Sequence, residues 1–204
     1  MKTAGLILLI WLLLLPALVH AQANKYFRNG PVISVKAGYH TKDGKDEYNM
    51  FPYDNGIPPG FCIDATAEIP TGKNWYLGLN YDLSFGDETR FDTFENSDVI
   101  RSITMFNFSP IVKYRFIRGD VSVNLGLGIG SSKIVFQYDR GSLKETKTTM
   151  ANFNFRFGSD YALTNHMLVS VEGVYYGMQE LSFDGGGRSN SIFLVKAGLG
   201  FVFK

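Results

Sequence analysis

The chain is short of cysteine, of net charge and of long apolar runs, and each shortage removes a class of protein. Its single cysteine, Cys62, rules out an intramolecular disulfide, and it lies too far from the N-terminus to be a lipoprotein acylation site there. An exported chain without disulfides must draw its stability from elsewhere. The 20 Lys and Arg residues almost cancel the 19 Asp and Glu, so no basic face for nucleic acid is expected. Beyond the first two dozen residues no apolar run approaches the ~20 residues of a membrane helix.

The one long apolar run stands at the very start. Met1-Lys2-Thr3 is a short positive leader, Gly5 to Leu15 is uninterrupted and apolar, and Pro16 ends it before small residues at Ala21 and Ala23. That layout is a secretory signal peptide, too short and wrongly flanked for a spanning helix. Residues 1–23 are expected to be removed, with cleavage after Ala21 or after Ala23, leaving one domain over 24–204.

What remains is rich in Gly, Phe and Tyr and poor in helix-favouring stretches, a composition that favours strands joined by turns. A period of two recurs in eight segments. The third is the clearest: Trp75, Leu77, Leu79, Tyr81, Leu83 and Phe85 alternate with Tyr76, Gly78, Asn80, Asp82 and Ser84. The first sets Ile33, Val35, Ala37 and Tyr39 against Ser34, Lys36, Gly38 and His40. The others run through Cys62–Ile69, Phe106–Phe116, Val121–Gly130, Ala151–Tyr161, Met167–Tyr176 and Phe193–Phe203. The seventh is the weakest, with Ser170, Glu172 and Tyr176 as its second face, and the eighth sets Lys196, Gly198 and Gly200 against its apolar positions.

The connections alternate in length. Tight links follow segments two, four and six (70–74, 117–120 and 163–166), and longer ones follow the odd segments (41–60, 86–101, 139–147 and 178–190). Short turns at one end and long loops at the other describe an all-β, eight-stranded antiparallel up-and-down barrel that crosses a membrane, with both termini on the short-turn side. Alternation alone equally fits a soluble barrel with an apolar interior that binds lipid. Three features favour lipid outside. Aromatic residues gather towards strand ends (Trp75, Phe85, Tyr114, Phe116, Tyr161, Phe201 and Phe203), as interfacial girdles require. The polar face is mostly Gly, Asn and Ser, not the Lys, Glu and Thr of a wetted strand. The segments also approach the ~9–11 residues that span a bilayer obliquely.

Energetics agree. A Lys or Arg facing lipid near the midplane costs about 2–4 kcal/mol, so turning Lys36, Lys113, Arg156 and Lys196 outward would cost on the order of 10 kcal/mol, as much as a domain's whole stability. The lumen is therefore expected to hold Lys36, Asp64, Glu68, Asp82, Lys113, Arg115, Arg156, Asp160, Glu172 and Lys196, five cations against five carboxylates, as a structural charge network.

These features, with the terminal segment Ser191-Ile192-Phe193-Leu194-Val195-Lys196-Ala197-Gly198-Leu199-Gly200-Phe201-Val202-Phe203, resemble the small outer-membrane β-barrels of the OmpX/Ail and OmpA-transmembrane type. The likeness spans the whole mature part as a pattern, without a sequence motif. It implies the outer membrane of a Gram-negative bacterium, contact with outer-membrane lipid and lipopolysaccharide, and insertion by the barrel-assembly machinery. That machinery often reads a terminal aromatic; here Lys204 follows Phe203.

Catalytic and ligand-binding signals are weak. Gly126-Leu127-Gly128-Ile129-Gly130-Ser131-Ser132-Lys133 lacks the spacing and following helix of a phosphate loop, and its inward glycines are expected to make room for Tyr76, Arg115 or Arg156. A lipid A-deacylating barrel would need His and Ser two apart. Here Ser170 lies four residues from His166, about 13 Å along a strand, and His40 has no such partner. No enzyme activity, cofactor or resident metal is expected. The loops hold Asp43, Asp46, Glu47, Asp54, Asp87, Glu88, Asp92, Glu95 and Asp98, carboxylates of the kind that bridge through Mg²⁺ or Ca²⁺ to lipopolysaccharide phosphates, though solvated loops explain them as well. Tyr48, Phe51 and Tyr53 beside Pro58-Pro59 suit an adhesive contact, so a surface ligand is expected at 41–60 and 86–101. Two functions stay open: a structural or surface-interaction barrel, and a narrow porin-like channel.

Overall fold

A computed structural model of the chain describes residues 30–43, 59–86, 89–92, 97–139, 143–179 and 189–203. The signal segment and residues 44–58, which carry most of the first loop's carboxylates and aromatics, lie outside the described residues. Nine strands are described: β1 (Val32–Asp43), β2 (Gly60–Pro70), β3 (Trp75–Gly86), β4 (Thr89–Asp92), β5 (Ser97–Arg118), β6 (Val121–Asp139), β7 (Leu143–Ala162), β8 (Met167–Gln179) and β9 (Ser189–Val202). Eight of them form a closed antiparallel ring, β1-β2-β3-β5-β6-β7-β8-β9, shut by β1–β9 pairing from Val32↔Val202 to Asp43↔Ser191. The short β4 lies outside the ring and, among the described residues, pairs with β5 alone.

The three tight connections sit at one end with the first and last described residues. In the first, Thr71 N–H donates to the Trp75 carbonyl at 2.9 Å. Gly119 makes the second, with φ 62° ahead of Asp120, which keeps negative φ; this is the type II′ pattern that suits the twist of a two-residue hairpin. In the third, the Thr164 hydroxyl accepts from the backbone N–H of His166 at 3.2 Å and of Met167 at 3.1 Å.

The burial pattern is that of a water-soluble protein turned inside out. Arg115, Arg156 and Lys196 are among the most completely buried side chains, whereas Leu127 and Ile129 are 65% and 75% exposed. The lumen is packed, and the apolar face is the outside. The alternative barrel with an apolar interior is thereby corrected.

Three expectations about extent and lining are corrected too. The segment 86–101 is largely a hairpin, since β4 occupies Thr89–Asp92 and β5 begins at Ser97. Likewise 139–147 shrinks, because β6 reaches Asp139 and β7 begins at Leu143. β5, β6 and β7 are thus 22, 19 and 20 residues long, against 11 to 14 in the other ring strands, and they rise beyond the loop-end rim as a sheet. A bulge at Arg101, where the β5–β6 register shifts, adds twist to that extension. Finally, the lumen is not polar throughout. Val32, Leu168 and Val202 close it at the short-turn end, and a larger apolar layer including Ile103, Met105, Ile134, Met150, Met178 and Ile192 closes it at the loop end. Leu168, Val174, Ile192 and Leu194 fall in the inward phase of the two strands whose polar face was sparsest.

Two successive rungs of the wall are missing. β5 and β6 pair at Phe108↔Ser131 and again, in the same register, at Ile111↔Gly128, with no pairing recorded between them. Pro110 falls in that gap and has no N–H to give the strand opposite. Pro110→Val, which restores the donor on a lipid-facing position, is expected to stabilise the barrel by about 0.5–1.5 kcal/mol. The check is the urea midpoint of the folded band in detergent; a lowered midpoint contradicts this account of the gap.

Candidate functional site

The lumen network is built by strand alternation. Seven ring strands contribute charges: Lys36 from β1, Asp64 and Glu68 from β2, Asp82 from β3, Lys113 and Arg115 from β5, Arg156 and Asp160 from β7, Glu172 from β8 and Lys196 from β9. All ten are buried, and the structure brings them into one connected system. The eighth strand, β6, supplies space. A Cβ on Gly126 would meet Arg156 and Lys113, and one on Gly128 would press on Asn154 and Ile111. Room was expected at these glycines for Tyr76, Arg115 or Arg156. Of the three, Arg156 is among the nearest neighbours at Gly126, and Asn154 and Ile111 are nearest at Gly128.

Asp64 and Glu172 are the hubs. Asp64 accepts from Lys196 Nζ at 2.8 Å, Thr66 Oγ1 at 2.8 Å, Lys36 Nζ at 3.5 Å, and Asn80 Nδ2. Glu172 accepts from Lys36 at 3.1 Å, Lys113 at 3.2 Å and Arg156 at 3.3 Å. Asp82 closes one flank with Lys196 Nζ at 2.8 Å and Ser84 Oγ at 2.9 Å. Glu68 takes both Lys113 and Arg115. Asp160 lies 3.6 Å from Arg115 and accepts from Asn124 at 2.7 Å and Ser170 at 2.6 Å. Each carboxylate therefore holds at least one cation and a neutral donor or second cation, the arrangement that makes buried charge tolerable.

Sequence reasoning picked out the charges and missed the neutral members that join them. Asn80 donates to Asp64 and accepts from Arg156 and, at 3.0 Å, from the Tyr176 hydroxyl. Arg156 also donates to Tyr176 Oη at 2.9 Å and Asn154 Oδ1 at 2.9 Å, and Arg115 lies over the Tyr76 ring at 4.2 Å. The inward phase of Asn80, Asn154, Tyr76 and Tyr176 was the available signal.

The girdle residues divide between two belts. Trp75, Tyr114, Phe116, Tyr161, Phe201 and Phe203 ring the short-turn end, with edge contacts Trp75–Tyr114 at 4.9 Å, Tyr114–Phe116 at 4.6 Å and Phe201–Phe203 at 5.0 Å. Phe85 belongs to the other belt, opposite Phe61, which stands beside Tyr39. Trp75 and Phe85 are ten residues apart on β3, which at ~3.3 Å per residue and a tilt of about 40° gives roughly 25 Å of height, the apolar band of such barrels.

His166 is not arranged with a nucleophile. His166 sits exposed in the third turn, its Nδ1 3.1 Å from the Val202 carbonyl and its ring stacked on Phe201, while the Ser170 hydroxyl is committed to Asp160. His40 is buried with Nε2 3.3 Å from the Phe85 carbonyl. Among the described residues no group of three or more His, Cys, Asp or Glu side chains is placed to hold a metal ion.

A closed, inside-out antiparallel sheet with two aromatic belts and a charge-filled lumen defines a transmembrane β-barrel. The model of the outer membrane protein beta-barrel domain matches residues 8–201, and the chain belongs to that family. It is therefore an integral protein of the Gram-negative outer membrane. Among solved structures it resembles Neisserial surface protein A, with 13% identity and a TM-score of 0.64 over 86% of this chain and 98% of that one. It also resembles the outer membrane protein OprG of Pseudomonas aeruginosa, with 15% identity and a TM-score of 0.51 over 90% and 99%. At these identities the likeness concerns the fold. No curated protein matches the sequence.

Arg156 ties Glu172, Asn80, Asn154 and Tyr176 together, so Arg156→Ala leaves Glu172 with one counter-charge fewer. A loss of about 3–5 kcal/mol is expected, partly recovered when Glu172→Gln is added. Unfolding midpoints of both variants in detergent check this; an unchanged midpoint in Arg156→Ala contradicts it.

Proposed function

We propose that this chain is a closed, non-conducting barrel without enzymatic activity, whose role is to display its loop-end sheet on the cell surface as an interaction platform. The observation that carries the reading is the contrast between the two halves of the molecule. Inside the membrane band the lumen is occupied by ten mutually paired charges with an apolar layer at either end. Beyond the band, β5, β6 and β7 continue as a sheet that the membrane does not require.

Orientation follows from assembly. The short-turn end, with both chain ends, faces the periplasm, and the extended sheet faces outward. Among the described residues β7 pairs with β8 only from Ala151 onward, so Leu143–Met150 has β6 on one side and no described strand on the other. A strand edge of this kind offers backbone donors and acceptors to an extended segment of another chain. The surface ligand and the contribution of 41–60 belong to this proposal, as does the barrel-assembly machinery as insertion partner.

A narrow channel would need a continuous wet path, and the packed lumen supports none. In planar bilayers the refolded chain is expected to show no unitary current steps, and on intact cells an epitope inserted at 140–142 is expected to be stained while one before Pro31 is not. Reproducible ohmic steps would replace this reading with the porin-like one, and the reverse staining would overturn the display role.

A further inference from the structure

We propose that the apolar layer closing the loop end of the lumen is a binding site for a soft monovalent metal ion, Cu(I), held by the thioether sulfurs of Met105, Met150 and Met178. The site goes beyond the display role and does not depend on which end of the barrel faces outward.

The two ends of the lumen are closed with different side chains. Val32, Leu168 and Val202 form the buried short-turn cluster without a sulfur atom. The loop-end layer holds half of the chain's six methionines, each from a different strand: Met105 on β5, Met150 on β7 and Met178 on β8. All three are buried, at no more than 2% exposure, and belong to one packed cluster.

Strand register brings them to one height. Following the pairs from Val32 across all eight ring strands, one circuit returns to β1 at Lys42, ten residues further on. A stagger of that size over eight strands spaced ~4.8 Å apart tilts the strands by about 40°. At that tilt the three methionines lie within about 2 Å of a common level and span less than half of the circumference. The ring has a backbone radius of about 8 Å, so long unbranched side chains entering from this arc converge near the axis. Cys62 belongs to the same cluster but sits about 6 Å lower, towards the charge network, and falls outside the ligand set.

The donor set decides the metal. Thioethers are soft and neutral and select Cu(I), whereas Mg²⁺ and Ca²⁺ require oxygen. They need no deprotonation, and a singly charged ion is less costly to bring into an apolar layer than a doubly charged one. The methionines are far apart in the chain, and only closure of the ring assembles them, so the sequence alone leads to the expectation of no resident metal.

The test titrates the refolded, untagged barrel in detergent with Cu(I) under argon, against a chromophoric Cu(I) chelator, and reads the copper environment by X-ray absorption. One Cu(I) per chain should survive gel filtration, with sulfur alone in its first shell, and Zn²⁺ should not displace it. Met105→Leu with Met178→Leu keeps the volume of the layer. That variant should bind at least about a hundredfold more weakly, beyond what loss of a supporting group around a ligand costs, while its folded band still shifts on boiling. Cys62→Ala should bind as the unaltered chain does. Absence of stoichiometric Cu(I), or equal binding by the double leucine variant, overturns the proposal. A nitrogen ligand in the spectrum overturns it too, by assigning the ion to a histidine such as the exposed His166. Loss of binding in Cys62→Ala with retention in the leucine variant does the same, by making this a thiol site. The spectrum of the unaltered chain requires no variant to fold. Surface staining and conductance test the display role separately, so either proposal can fall alone.

Discussion

In hydrocarbon no water completes a backbone hydrogen bond, so a sheet that crosses a membrane must close on itself, and every side chain then faces either lipid or lumen. That constraint orders this molecule. With eight strands in the ring, the interior is just wide enough to be filled by side chains. The chain fills it with equal numbers of cations and carboxylates, because an unbalanced charge enclosed by a low-dielectric wall is costly. The glycines of β6 follow from the same demand: with long charged side chains entering from seven strands, one strand must yield space.

The network and its apolar caps belong together. Hydrogen bonds and ion pairs in the middle of the lumen are strongest where water is kept away, and Val32, Leu168 and Val202 at one end and the Met-containing layer at the other keep it away. With the lumen filled by structure, the proposed role falls to the sheet above the rim. The wall is not uniform. Pro110 interrupts one ladder, and the stripe beside it is the most exposed apolar part of the barrel.

Much of this was legible in the residues. Alternation through Trp75–Phe85 or Phe106–Phe116 fixes the faces of those strands, and the placing of Lys36, Lys113, Arg156 and Lys196 inside follows from the cost of the alternative. The extended sheet was harder to see. Leu143–Thr149 is polar on nearly every position, and Ser97–Thr104 mixes polar residues with the adjacent pair Val99-Ile100, so neither segment alternates and both read as loop. The apolar caps escaped for the opposite reason: Leu168, Val174, Ile192 and Leu194 are inward residues in runs where both faces are apolar, so no contrast marks them. The ion-pair partners were out of reach, since Asp64 and Lys196 are brought together only by closure of β9 onto β1 and β1 onto β2.

From residue 24 onward the chain has a single tryptophan, Trp75, an outward residue of the short-turn belt. Its fluorescence in vesicles gives the most direct test of which face meets lipid. The account predicts strong quenching by phosphatidylcholine brominated near the headgroup and little by aqueous iodide. Indifference to brominated lipid, in a chain that still folds, would place Trp75 away from the bilayer and contradict an apolar face turned outward into the membrane.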